Sequence, residues 1–207
     1  MKFEYRFIDV DVNSIKDYLE TNDKKINKKT VLLRWDSFDY KDKFIRVRDE
    51  GDKITLTLKK NLKTPKPISK TILVDDYDLT IDILSELEIF SKYRVEKIRE
   101  IWTLSNNCII NFDMYPGLPN YIEIKSDNKL DLIELIRQLG LKLDLRNHIE
   151  MGADSMYLEL YGISPQREDK GDLTFENAKE IFTKHIKKNK SQFNRIVELQ
   201  IEMIKYL

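Results

Sequence analysis

Cysteine is almost missing from this 207-residue chain: Cys108 stands alone, which excludes an internal disulfide framework and a cysteine-rich zinc site. A lone thiol fits a reducing compartment, so the cytoplasm is the expected location. Glycine and proline number only six and five, too few for a fibrous or low-complexity chain, and there is no glycine-rich phosphate loop. Net charge is lacking too. The 36 basic residues meet 36 acidic ones, so nothing draws the whole molecule to nucleic acid or an anionic membrane, and any anion site must be built locally. No apolar run approaches the roughly 18 residues of a membrane span. The opening Met1-Lys2-Phe3-Glu4-Tyr5-Arg6 puts charges where a signal peptide needs an apolar stretch. His148 and His185 lie far apart without metal-ligand spacing, and no serine or cysteine sits in a nucleophile motif.

What is present is a globular composition, 41% hydrophobic, of a length that one domain accommodates. Several segments alternate with the period of a half-buried strand. In Lys2 to Ile8, Phe3, Tyr5 and Phe7 oppose Lys2, Glu4 and Arg6. Phe44 to Arg48 sets Ile45 and Val47 against Arg46 and Arg48; after the turn signal Asp49-Glu50-Gly51-Asp52, Ile54 to Lys59 repeats the pattern, and the pair reads as a hairpin. Val95 to Leu104, Cys108 to Met114 and Tyr121 to Lys125 alternate likewise, with Thr30 to Tyr40 a less cleanly patterned strand. Helical spacing predicts covers over Val12 to Glu20, Leu79 to Tyr93 and Leu130 to Leu139, the last closed by Gly140. Residues 63–67 and 164–172 read as loops. Trp35 and Trp102 read as outer-wall packing.

The polar strand faces carry a heavy load of full charges: Lys2, Glu4, Arg6, Arg46, Arg48, Lys59, Lys97, Arg99, Asp113, Glu123 and Lys125. Two architectures satisfy this pattern. An open antiparallel sheet could pack its apolar face on helices and leave the charges in water. Alternatively the strands curl into a barrel with the charges inside and the helices outside. Alternation alone does not separate the two.

The order of the motifs resembles that of the CYTH, or triphosphate tunnel, superfamily, which includes class IV adenylyl cyclases, thiamine triphosphatases and inorganic triphosphatases. Phe44-Ile45-Arg46-Val47-Arg48 with Gly51 and Leu56-Thr57-Leu58-Lys59 is similar to its "LRxR … g … lTxK" hairpin. Val95-Glu96-Lys97-Ile98-Arg99-Glu100 is similar to "KxRe". Asn111 to Leu118 followed by Tyr121-Ile122-Glu123-Ile124-Lys125 is similar to "lDxvxglGxfxEiE", and Ser155 to Leu160 to a weaker "sYxxL" element. The resemblance implies an α+β fold: a closed eight-stranded antiparallel β-barrel covered by helices, the domain spanning residues 1–170. It implies a ligand bearing a triphosphate, such as a nucleoside triphosphate, thiamine triphosphate or tripolyphosphate. Nucleic acid enters only as a 5'-triphosphate end. Phosphates would be held by Arg6, Arg46, Arg48, Lys59, Lys97 and Arg99. Glu4, Asp113 and Glu123 would be the catalytic carboxylates, holding magnesium or manganese for hydrolysis or cyclisation.

Two positions depart from the pattern. The family's first strand reads E-x-E-x-K, but Lys2 replaces its first carboxylate; the closing E-x-E reads Glu123-Ile124-Lys125. An ammonium offers no lone pair to a divalent cation. Lys2 and Lys125 therefore join the phosphate-binding set, and a protein that binds polyphosphate without metal or turnover stands beside the enzyme as a second reading. Residues 171–207 lie beyond the resemblance. They carry apolar residues at helical spacing, at Phe175, Ala178, Ile181 and Phe182 and again at Phe193, Ile196, Val197, Ile201 and Ile204, for packing on the barrel or for a homodimer interface.

Overall fold

A computed structural model describes residues 3–8, 10–60, 68–142, 153–164 and 172–205 of the chain. Lys2, His148 and the loop expected at residues 63–67 lie outside the described residues, as does most of the loop expected at 164–172. Eight strands form one sheet: β1 (Phe3–Phe7), β2 (Asn27–Tyr40), β3 (Lys43–Asp49), β4 (Ile54–Lys60), β5 (Ile68–Val74), β6 (Tyr93–Thr103), β7 (Ile109–Met114) and β8 (Tyr121–Ser126). Every neighbouring pair is antiparallel, in the order β1-β8-β7-β6-β2-β3-β4-β5. The α+β class and the eight antiparallel strands match the expectation. Closure by hydrogen bonds does not appear: among the described residues the ladder ends at β1 on one side and β5 on the other. β2, at 14 residues the longest strand, pairs with β3 at one end and β6 along the other.

The helices form where periodicity and caps agree. In α1 (Val12–Asn22) the Asp11 side chain accepts from the Ser14 amide at 3.1 Å, and Ile15 and Leu19, one turn apart, are buried. In α3 (Lys129–Gln138) Asn128 caps Leu130; beyond its end Gly140 takes φ +66°, and the Leu141 amide reaches back to the Ile136 carbonyl. The helix expected over Leu79 to Tyr93 is shorter. It is α2 (Tyr77–Glu86), and it stops because Glu88 turns left-handed at φ 59° and the Lys92 amide pairs with the Ser37 carbonyl, starting β6. α4 (Ala153–Tyr161), a short α5 (Ala178–Ile181) and α6 (Lys190–Ile204) complete the chain.

These helices bury one face of the sheet. α1 and α3 pack Ile15, Leu19, Leu132 and Leu135 against Phe7, Trp102, Ile110, Phe112, Ile122 and Ile124 of β1, β6, β7 and β8. α2 contributes Tyr77 and Leu84 to Phe38, Ile45 and Val47 of β2 and β3. Ile98 and Met114 meet Phe175. Trp102 is therefore an outer-wall residue, as expected. A fourth cluster closes one end of the sheet's other face, where α4 and α6 bring Tyr157, Tyr161, Phe193 and Val197 to Val95 and Tyr121. Trp35 lies among the half-buried residues against this cluster, not on the outer wall. It is paired with Val95 and Arg48, so it shares the charged face. The alternation of β2 is blurred by Leu32-Leu33, adjacent apolar residues on opposite sides, the first half-buried and the second buried.

Candidate anion-binding site

Directly paired residues in an antiparallel ladder share a face, so register decides which charges meet. Arg99 pairs with Asp113; two residues along β7, Asn111 pairs with Glu123; Glu123 pairs with Arg6 and Lys125 with Glu4. In the other direction Val95, in phase with Lys97 and Arg99, pairs with Trp35, and Trp35 with Arg48. Phe44, in phase with Arg46 and Arg48, pairs with Lys59. Ten of the eleven singled-out residues thus share the face that the outer helices leave uncovered. The eleventh is Lys2, outside the described residues.

That face is concave. β1 and β3 stand five strand spacings apart in the sheet order, which in a flat sheet would be roughly 24 Å at about 4.8 Å each. Yet Glu4 and Arg6 of β1 line the same cleft, of about 260 Å³, as Arg48 of β3, together with Lys97, Arg99, Tyr115, Tyr121, Glu123, Lys125 and Ala153. A larger cavity of about 540 Å³ lies between α1 and the end of α3. Its lining holds Asp11 and Lys142 but no cluster of cations, so it offers a polyanion little.

The charged face has two unlike halves, one lining the cleft and the other reaching it through Arg48. In the half built by β1, β6, β7 and β8, every inner-face charge among the described residues is answered. Arg99 Nε and Nη2 each reach Asp113 at 2.6 Å, and Lys97 Nζ reaches it at 3.0 Å. Glu123 accepts from Arg6 Nε at 3.0 Å, Asn111 Nδ2 at 2.9 Å, Lys125 Nζ at 2.6 Å and Arg99 Nη2 at 3.2 Å. Glu4 pairs with Arg6 and, at 3.2 Å, with Lys125. Burial would raise the Asp113 and Glu123 carboxyls, but these cations outweigh it and hold both below the usual carboxylate range. For Lys97 burial wins. Arg99 already neutralises much of Asp113, so desolvation, with Arg99's repulsion, brings the ammonium down to about 8.

In the half built by β3 and β4, cations outnumber the counter-charges that answer them among the described residues. Arg48 Nη1 reaches Glu50 at 3.1 Å and its guanidinium lies 5.5 Å from the Trp35 ring, but the Nε atoms of Arg46 and Arg48 are buried without a hydrogen-bond partner among the described residues. Burial and the neighbouring Arg48 bring Arg46 down to about 10; Lys59 is lowered by burial and by both arginines. Buried donors without acceptors are costly, and an arginine's rigid fork suits phosphate oxygens.

The three carboxylates do not fit a divalent ion as they stand. All six of their oxygens already accept from arginine, lysine or asparagine, and no group of three or more His, Cys, Asp or Glu among the described residues is placed to hold a metal. Cys108 is buried in the outer core, its thiol pushed up by burial, and His185 stands outside the cleft lining. The pattern of charges foretold the face. The pairing within it, the lid made by α4 and the aromatic border of Trp35, Tyr115 and Tyr121 were not foretold, because each needs the cross-strand register.

An eight-stranded antiparallel sheet thus curls its ionic face into a cleft and carries helices on its other face. The CYTH domain profile matches residues 13–150, and the chain belongs to the CYTH family. Solved structures share this fold. A protein from Pyrococcus horikoshii OT3 is 22% identical with a TM-score of 0.53, over 69% of this chain and 92% of that one. A candidate adenylate cyclase from Vibrio parahaemolyticus is 13% identical with a TM-score of 0.55, over 75% and 96%. A candidate adenylyl cyclase from Hippeastrum, described as having a dominant triphosphatase activity, is 14% identical with a TM-score of 0.51, over 81% and 98%. No curated protein matches the sequence. No helix of the described residues is long and apolar enough to cross a membrane.

Proposed function

We propose that this protein binds a triphosphate-bearing ligand along the cleft, with the terminal phosphates on Arg46, Arg48 and Lys59 and the rest of the chain of phosphates reaching toward Lys97, Arg99, Arg6 and Lys125. The observation that carries this reading is the pair of buried Nε atoms on Arg46 and Arg48 that have no hydrogen-bond partner among the described residues, beside Lys59 and with Glu50, itself shared with Lys53, answering Arg48. A tripolyphosphate supplies several charges spaced along one chain, and cations from separate strands meet them at once. The curl that joins β1 to β3 would carry on into a tunnel around such a ligand. Calorimetric titration tests this. Tripolyphosphate should bind much more tightly than orthophosphate, and equal weak binding of both would overturn the reading.

A second, catalytic reading is supported by the likeness to the Hippeastrum protein. Release of phosphate or pyrophosphate from tripolyphosphate or ATP, abolished by Glu4→Gln, would favour catalysis; binding without release favours a binding module.

A further inference from the structure

Lys125 does in this cleft what a bound cation does elsewhere. Its Nζ lies 2.6 Å from Glu123 Oε1 on its own strand and 3.2 Å from Glu4 Oε2 on β1, tying together, beside Arg6, which also pairs with both, two like-charged carboxylates. An ammonium has three hydrogens and no lone pair. Two of them answer these oxygens, which leaves one for a ligand, and Lys125 lines the open cleft, its side chain 23% exposed. The wall has no room in charge for a further cation: Arg6, Lys97, Arg99 and Lys125 already outnumber Glu4, Asp113 and Glu123. A divalent ion entering here would meet a positive excess and would have to break ion pairs to find a free oxygen.

We propose that the Lys125 ammonium is a built-in cation standing in the place of a divalent metal, so that the cleft takes up polyphosphate without one. This rests on the triphosphate-binding reading above. It differs in what it demands: the anion's counter-charge comes wholly from the chain.

The test is calorimetric titration of sodium tripolyphosphate into the full chain, first in EDTA and then in excess magnesium. The expected result is saturable binding in EDTA with no gain in affinity on adding magnesium. Binding that weakens more than about tenfold in EDTA and returns with magnesium would overturn the built-in cation while leaving triphosphate binding intact. No binding in either buffer would remove both. A second arm uses Lys125→Glu, with its fold checked by circular dichroism. It should lose affinity in EDTA, recover it with magnesium, and take up manganese, seen as loss of the free-ion paramagnetic resonance signal. Wild-type affinity in EDTA with no manganese uptake would overturn the proposal. Should that variant not fold, Lys125→Gln keeps the size and removes the charge; it should weaken binding in EDTA by about tenfold, and unchanged affinity would overturn the proposal.

Discussion

Arg99 grips Asp113 with two parallel hydrogen bonds of 2.6 Å, and the carboxylate they hold is wholly buried. Lys97 completes the same group at 3.0 Å. Breaking a buried ion pair by removing one member leaves the other uncompensated and typically costs about 3 to 5 kcal/mol. Asp113→Ala strands two cations and should lose stability of that order. A urea midpoint within experimental error of wild type would show that the network holds little.

Arg46 should behave in the opposite way. Its Nε is buried without a partner and no ion pair to it is found among the described residues, so the folded chain bears its desolvation unrelieved. Arg46→Ala is expected to leave stability unchanged or raise it by up to about 1 kcal/mol, as when a functional site gives up strain. A loss above about 2 kcal/mol in urea unfolding would make this residue structural.

The acid limb follows from the carboxylates. Asp113 and Glu123 titrate lower in the folded chain than unfolded, so the unfolded chain binds more protons as pH falls below about 4. Their pairing stabilises fully above that pH and is lost as pH drops through the folded values. Glu123→Gln should flatten the decline of urea stability between about pH 4 and 2. An unaltered slope would contradict the pairing.

The basic limb carries the same sign through a different group. Lys97 titrates near 8 when folded, below its ordinary value, so above pH 8 the unfolded chain again holds more protons and stability should rise with pH until the unfolded lysine titrates. Tripolyphosphate affinity should fall over the same range, because the cleft loses a cation. Titrations at pH 7 and pH 9 check this, and Lys97→Met should remove the difference.

Gly117, in the turn between β7 and β8, sits at φ +75° with the Phe193 ring 2.2 Å from where a Cβ would be. Its amide donates to Gln200 and its carbonyl accepts from Tyr161 at 2.5 Å, so the turn anchors α4 and α6 together. Gly117→Ala combines a left-handed backbone with overpacking and should cost about 2 to 4 kcal/mol. Proteolysis within α6 should quicken in step, and wild-type resistance would contradict the anchoring.

How much of this was legible in the residues varies by element. β1, β3, β4, β6, β7 and β8 each set an apolar row against a polar one, and that contrast survives in one sequence because their two faces meet different media. β5 was missed. As an edge strand it is exposed along nearly its whole length, Ile72 and Leu73 included, so no contrast was written into it. α4 was seen only as a fragment of a family motif, since buried Met156, Tyr157 and Tyr161 alternate with polar residues too briefly to show a period. Charge on the inner face was visible residue by residue. That Lys125 answers Glu4, or that Arg46 has no answer, depends on which strands are neighbours, and local pattern does not encode it.

The account's central claim is that the anion meets the inner face of the sheet, at the unanswered cations. Arg34 provides the control. It has the same charge on the same sheet but sits on the outer face, paired to Asp49 at 3.0 Å and stacked over Tyr77. Tripolyphosphate should bind Arg46→Ala at least about tenfold more weakly than wild type, while Arg34→Ala binds like wild type. Equal losses in the two variants, or none in either, would contradict the claim.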